Sequence, residues 1–246
     1  MDLHFIGRGS GFNTKEKNTS AYFVEGKRLF LIDCGESVFA SLMDNNIFSK
    51  IQHVYVLISH THSDHCGSLG TLGFYCQYVL HTKLNIVVPH NDGYVQSLKT
   101  LMSLYGNTSE AYQFVFEEDI DNAFKAFSSV RYELTDHDSG LTCFSFVFET
   151  SNGAVFYSAD TRTSDNMLRF INQHDRVDRI YMEVTDIKII GDVHLYIEDL
   201  KEVVPFTMRS KVWLIHLRSD DCIRIAKEAG FQIVSCYTST NNELID

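Results

Sequence analysis

A chain of 246 residues that is 44% hydrophobic and 22% charged carries enough apolar surface to bury a large core, which excludes intrinsic disorder. Its net charge of −11 speaks against tracking a long polyanion, because such proteins display a basic face, but it leaves room for a small anionic substrate held at cations. No apolar run reaches the length of a membrane span and the start MDLHFIGRGSG lacks the pattern of a signal peptide, so a cytoplasmic protein is expected.

Taken in chain order, the first third reads as short strands closed by glycine: LHFIG, AYFVEG and RLFLIDCG, suggesting an antiparallel meander in the early half. ESVFASLMDNN has helical spacing, HVYVLIS is a buried strand, and GSLGTLGFYCQYVLH predicts a helix. From Asn91 to Ser128 the pattern is read as mainly helical, through GYVQSLKTLMSLYG and EEDIDNAFKAF; this stretch could cap a site or join a second subunit. Strands return with VRYELTDHD, TCFSFVFET and AVFYSADT, the last two forming a hairpin with SNG at its turn. SDNMLRFINQHD, YIEDLKEVV and DDCIRIAKEAG are helical, and DRIYMEV and KVWLIHL are strands. Two strand-rich halves, each followed by helices, predict an α/β fold: a four-layer αββα sandwich. No repeat or proline-rich linker divides the chain, so one domain over residues 1–246 is expected.

The six cysteines stand apart with no C-x-x-C pair, which argues against a disulfide framework or a thiolate zinc site and for small buried hydrophobes. The chemistry concentrates instead in HTHSDH, His60 to His65, placed just after the apolar strand HVYVLIS. Imidazole and carboxylate are ligands for zinc and similar divalent ions. In an extended segment His60 and His62 point the same way, while Asp64 and His65 can turn toward a second centre. These residues are too few for two ions. His137 in LTDHDSG, Asp160 in FYSADTR and His216 in VWLIHLR each follow an apolar strand and are candidates to complete the set; Asp160 could bridge two cations.

These motifs resemble the metallo-β-lactamase superfamily over nearly the whole chain. Asp33 in LIDCG matches its first motif aspartate, the His60 to His65 string its second motif, and His137, Asp160 and His216 the third, fourth and fifth. The resemblance implies two divalent metal ions, zinc with manganese as the alternative. His60, His62 and His137 would hold one, Asp64, His65 and His216 the other, with Asp160 between them and Asp33 orienting the loop from behind. Within the superfamily the chain is similar to the ribonuclease Z branch of phosphodiesterases, through FIGRGSGFNTKEKNTSAYFV, YSADTR and MEVT, and through VHL at the place of His-Ser-Thr. Ala159 stands where glycine is usual and Leu195 where serine is usual. By this likeness Glu183 and His194 are the pair that protonates the leaving oxygen, and Asp64 orients or deprotonates the nucleophile.

Between His137 and Asp160 there is room for one hairpin and none for the basic arm with which ribonuclease Z grips tRNA. That argues for a smaller phosphodiester. The opening RGSGFNTKEKNTS and the compact length resemble the phage anti-Pycsar enzymes, which implies hydrolysis of 3′,5′-cyclic mononucleotides (cCMP, cUMP, cAMP and cGMP) and a homodimer acting in the host cytoplasm. The alternatives are an RNA 3′-processing nuclease, a β-lactam or thioester hydrolase, and a protein that sequesters a nucleotide without cleaving it. Arg162 and Arg218 could each meet a phosphate or serve as surface ion-pair partners.

Overall fold

The computed structural model describes residues 1–189, 191–237 and 244–245. Its first half builds strands β1 (His4–Gly7), β2 (Ser20–Glu25) and β3 (Arg28–Ile32), helix α1 (Val38–Asp44), strand β4 (His53–Leu57), the single turn α2 (Ser63–Cys66), helix α3 (Leu69–Tyr75), β5 (Leu84–Val88), α4 (Asp92–Leu104) and β6 (Tyr112–Phe116). The second half adds β7 (Ser129–Leu134), β8 (Phe144–Thr150), β9 (Gly153–Tyr157), α5 (Asp165–Gln173), β10 (Val177–Glu183), α6 (Ile197–Val203), β11 (Val212–Ile215), α7 (Asp220–Glu228) and the short β12 (Gln232–Ile233), β13 (Cys236–Tyr237) and β14 (Leu244–Ile245).

Among the described residues these strands form two sheets, ordered β14-β13-β1-β2-β3-β4-β5-β6 and β12-β11-β10-β9-β8-β7. Each half begins antiparallel, β1-β2-β3 and β7-β8-β9, and continues parallel, β3-β4-β5-β6 and β9-β10-β11-β12. The meander expected for the early half is therefore confined to its first three strands. Leu29, Phe30, Leu31 and Ile32 of β3 are all fully buried, an unbroken run rather than an alternation, which requires cover on both faces of the sheet. Phe30 meets Phe148 across the sandwich at 6.2 Å, and Phe5 meets Tyr181 at 5.2 Å, so the two sheets share one aromatic core. Outside the second sheet, Phe156 packs on Phe170 of α5, and Leu200 of α6 and Ala226 of α7 join the same buried cluster. The result is the predicted four-layer αββα sandwich.

The segment from Asn91 to Ser128 departs from its reading as mainly helix. The helix is α4 alone, started by the Asn91 side chain, which accepts a hydrogen bond from the Tyr94 N–H. The chain then adds the edge strand β6, and EEDIDNAFKAF makes only a 3₁₀ turn at Glu117–Ile120 before Asn122 turns left-handed at φ 58°. Phe124 and Phe127 go inward instead, edge-on to Phe23, and that burial outweighs their helical spacing. β5 and the two-residue strands after α7 were not anticipated; they are too short or too uniformly apolar to stand out. The SNG hairpin joins β8 and β9 as expected, with Gly153 at φ 129°.

This topology sets the site. Asp33, the HTHSDH loop, His137, Asp160 and His216 lie beyond the C-terminal ends of β3, β4, β7, β9 and β11, and Glu183 ends β10. In sheets with parallel strands the crevice outside those ends is where ligands bind.

Candidate metal centre

β4 runs on through buried Ile58 and Ser59 to His60, which is fully buried, and His62 precedes the one-turn α2 that carries Asp64 and His65. Asp33, left-handed at φ 62° and fully buried, anchors this loop. Its carboxylate accepts from the Ser59 N–H at 2.7 Å and the Ser59 hydroxyl at 2.9 Å, and lies 2.8 Å from His65 Nδ1. With Nδ1 engaged, His65 presents Nε2 to the centre of the cluster.

The donors gather in three groups, the atoms within each all lying within 4.8 Å of one another: a first set of His60, His62 and His137, a second of Asp64, His65, Asp160 and His216, and a third of His137, Glu183 and His194 that shares His137 with the first. In the first, His60 Nε2 lies 2.9 Å and His137 Nε2 3.3 Å from His62 Nδ1. His137 Nδ1 faces the Val193 carbonyl at 2.8 Å, so it carries the proton and Nε2 keeps its lone pair. In the second, His216 Nε2 is 3.3 Å from both Asp64 Oδ2 and Asp160 Oδ2, and His65 Nε2 is 3.3 Å from Asp160 Oδ1. Asp160 Oδ2 also stands 3.7 Å from His137 Nε2, so this carboxylate adjoins both sets. The backbone that aims these side chains is strained: His216 and Ala159 have φ of 54° and 49°, a conformation that costs an L-residue roughly 1–2 kcal/mol.

Whether the donors fit divalent cations is tested by their hydrogen bonding. His65 Nε2 and Asp160 Oδ1 are buried and have no hydrogen-bond partner. Buried polar atoms left unpaired are rare and costly, and an imidazole nitrogen and a carboxylate oxygen that both turn lone pairs to one point, 3.3 Å apart, fit a cation. Without cations the cluster holds protons in their place. Burial alone would raise the Asp64 carboxyl, but hydrogen bonds and charge from His216 and His65 outweigh it and hold the group well below the usual carboxylate range. Burial likewise opposes protonation of His65 and His216, yet Asp160 and the other carboxylates raise both well above the usual imidazole range. His60, with no carboxylate bonded to it, is pushed down by burial. The set could therefore exchange protons for metal, and metal affinity should weaken in acid.

Beside the second set lies Glu183, fully buried at the end of β10. It accepts from the Thr161 N–H at 2.7 Å and stands 3.1 Å from His194 Nδ1. It also reaches His216 Nδ1 at 3.4 Å, a contact not foreseen from the sequence. The raised protonation range of His194 follows: burial works against the charged form, and the charge and hydrogen bond of Glu183 more than offset it.

Both arginines have protein partners, and Arg218 also lines the cleft into which the donor sets open. Arg218 grips Asp186 with two hydrogen bonds of 2.6 and 3.0 Å; Arg162 donates to the His137 carbonyl and pairs with Asp136. All six cysteines are free thiols, five of them buried. The donor sets open into a cleft of about 550 Å³ whose walls include Glu36, Asp64, Asp160, Glu183 and Asp192. The same walls carry Arg218, His62, His194 and His216, and cations placed among these carboxylates would strengthen the field that draws a phosphate.

A metal-dependent hydrolase of the metallo-β-lactamase fold is the class that this architecture and this His/Asp cluster define. The fold is shared with the metallo-β-lactamase fold protein YhfI from Bacillus subtilis, at a TM-score of 0.71 and 21% identity over 96% of each chain. More narrowly, the chain belongs to the anti-Pycsar protein Apyc1 family, whose model matches residues 1–236. Relatives of that name include one from Bacillus phage BSP38, 28% identical over 240 residues (87% of this chain and 88% of the relative), and one from Paenibacillus sp. (strain J14), 26% identical over 229 residues (89% and 90%).

Chelation should destabilise the protein measurably. A ligand present at a thousand times its Kd stabilises by about 4 kcal/mol, and each kcal/mol moves Tm by roughly 2–4 °C in a chain of this size. Differential scanning calorimetry is expected to show Tm falling on the order of 10 °C on chelation and recovering with added zinc or manganese. An unchanged Tm would mean that the donors hold no ion.

Proposed function

We propose that the protein is a dinuclear-metal phosphodiesterase that hydrolyses 3′,5′-cyclic mononucleotides (cCMP, cUMP, cAMP and cGMP) to 5′ monophosphates. It thereby counteracts a bacterial cyclic-nucleotide defence. The observation that carries this reading is the adjacency, in one cleft, of two donor sets joined at Asp160 and a buried carboxylate–imidazole pair, Glu183 and His194. His60, His62 and His137 would hold one cation, Asp64, His65 and His216 the other, with Asp160 shared; zinc suits these donors, as does manganese. Such ions, when bound, activate water near neutral pH and neutralise charge that builds on phosphoryl oxygens.

The protein's own groups supply the rest. Asp64 remains ionised and accepts the hydrogen bond that orients the attacking water. As the bond from phosphorus to the 3′ oxygen breaks, His194 gives that oxygen a proton from Nε2, the nitrogen turned away from Glu183, and Glu183 stabilises the imidazolium until then. β-Lactam or thioester hydrolysis has no need of this pair. An RNA substrate is disfavoured by the short β8–β9 hairpin, by the net charge of −11 and by arginines already committed to protein partners. A sequestering protein would not need two complete donor sets.

A homodimer in the host cytoplasm completes the reading. It is supported by the family resemblance and by the exposed Leu104 and Phe116 at the ends of α4 and β6. Among the described residues no helix is long and apolar enough to cross a membrane. The test is incubation of metal-loaded protein with the four cyclic mononucleotides and a tRNA precursor, with products separated by chromatography and a His62→Ala protein alongside. Conversion to 5′ monophosphates that the variant cannot perform supports the proposal; cleavage of the precursor alone would overturn it.

A further inference from the structure

Phe12 is fully exposed, yet it lines the cleft that holds the donor sets, together with the part-exposed Ile187 and Ile189 from the segment between β10 and α6. Exposed apolar side chains beside a polar reacting centre mark a binding wall rather than a misplaced core. The backbone beneath Phe12 is anchored. It occupies the third position of a tight turn closed by Asn13 N–H to the Ser10 carbonyl at 2.9 Å. That turn is tied to the residue after His216: the Ser10 N–H and the Asn13 side-chain amide both donate to the Leu217 carbonyl, at 3.1 and 2.9 Å. At Gly11 a Cβ would come within 2.9 Å of Asp64 Oδ2, so this turn lies close against that carboxylate with Phe12 displayed next to it.

We propose that Phe12 is the platform on which the base of the substrate stacks, with Ile187 and Ile189 completing an uncharged wall. The inference rests on the cyclic-mononucleotide reading above. A cyclic mononucleotide divides into an anionic phosphate, suited to the donor sets, and an uncharged planar base, for which Phe12, Ile187 and Ile189 are the exposed apolar part of the lining. A phenyl ring on an anchored turn has few side-chain torsions to order on binding and accepts any base, since every base has a π-face. The platform therefore sets how tightly base-bearing substrates bind without selecting one base strictly.

The experiment is steady-state kinetics on cAMP and cCMP with Phe12→Ala, Phe12→Leu and Phe12→Trp, with bound metal and oligomeric state measured for each protein. Since Phe12 is fully exposed, each variant should fold. Stacking predicts that Phe12→Ala raises KM by roughly 10-fold or more, with a smaller effect on kcat and unchanged metal content. Phe12→Leu should rescue partly, and Phe12→Trp should restore or lower KM, more for the larger purine. If Phe12→Ala leaves KM within twofold while the wild type turns over both nucleotides, the stacking inference falls alone. The same holds if the variant changes only the oligomeric state, which would assign the ring to a subunit contact. A metal-loaded wild type that hydrolyses no cyclic mononucleotide overturns the functional reading and the platform with it.

Discussion

Asp160→Ala is expected to abolish turnover, with kcat/KM falling by on the order of 10³ or more, and to strip metal from the protein. Asp160 is a carboxylate that adjoins both donor sets, with its oxygens 3.3 Å from His65 and His216 and 3.7 Å from His137. On the proposed dinuclear reading its loss removes a shared anionic ligand and the charge that would offset two cations. Metal-assisted stabilisation amounts to several kcal/mol, and each 1.36 kcal/mol is a factor of ten in rate. Asp160→Asn, which keeps the shape and removes the charge, should lose nearly as much. Elemental analysis of the purified variants, alongside kinetics, checks the prediction. Wild-type metal content with wild-type turnover in Asp160→Ala would show that the donors serve some other end.

His194→Ala is expected to lower kcat by about 10²–10⁴, the usual worth of a positioned acid, while the protein keeps its metal. The pH dependence separates this role from a structural one. The acid must be protonated to act, and Glu183 raises the pKa of His194 above its ordinary value against the opposing effect of burial. Activity should therefore persist above pH 6.5 and fall as pH rises through the raised value. Removing the carboxylate charge with Glu183→Gln should move that alkaline limb to lower pH. Because Glu183 also reaches His216 at 3.4 Å, bound metal must be measured in the same variant. An alkaline limb that stays in place in Glu183→Gln, or a kcat unaffected by His194→Ala, would remove this pair from the proton transfer.

How much of this could be read without coordinates depended on how local each signal was. The HTHSDH string announces metal chemistry because its donors are neighbours and the strand before it fixes their alternation. His137, Asp160 and His216 carry no such signal individually; the family resemblance linked them, and the structure brings them together at the ends of β7, β9 and β11. The partners that orient these side chains were harder still. The Val193 carbonyl behind His137 is a backbone atom that no residue type advertises, and Arg162 turns to the His137 carbonyl for reasons that only the chain path supplies. The helix read over 117–127 failed because periodicity cannot tell a helix face from phenylalanines plugging a sheet. Phe12 was one of 18 phenylalanines until its exposure beside Asp64 set it apart.

The most direct test of the central claim is a titration of metal-depleted protein with zinc, following bound ion and the products formed from a 3′,5′-cyclic mononucleotide. Turnover that emerges as two ions bind per chain, with the 5′ monophosphate as sole product, is the predicted result. Two bound ions without turnover, or a 3′ monophosphate product, would contradict it.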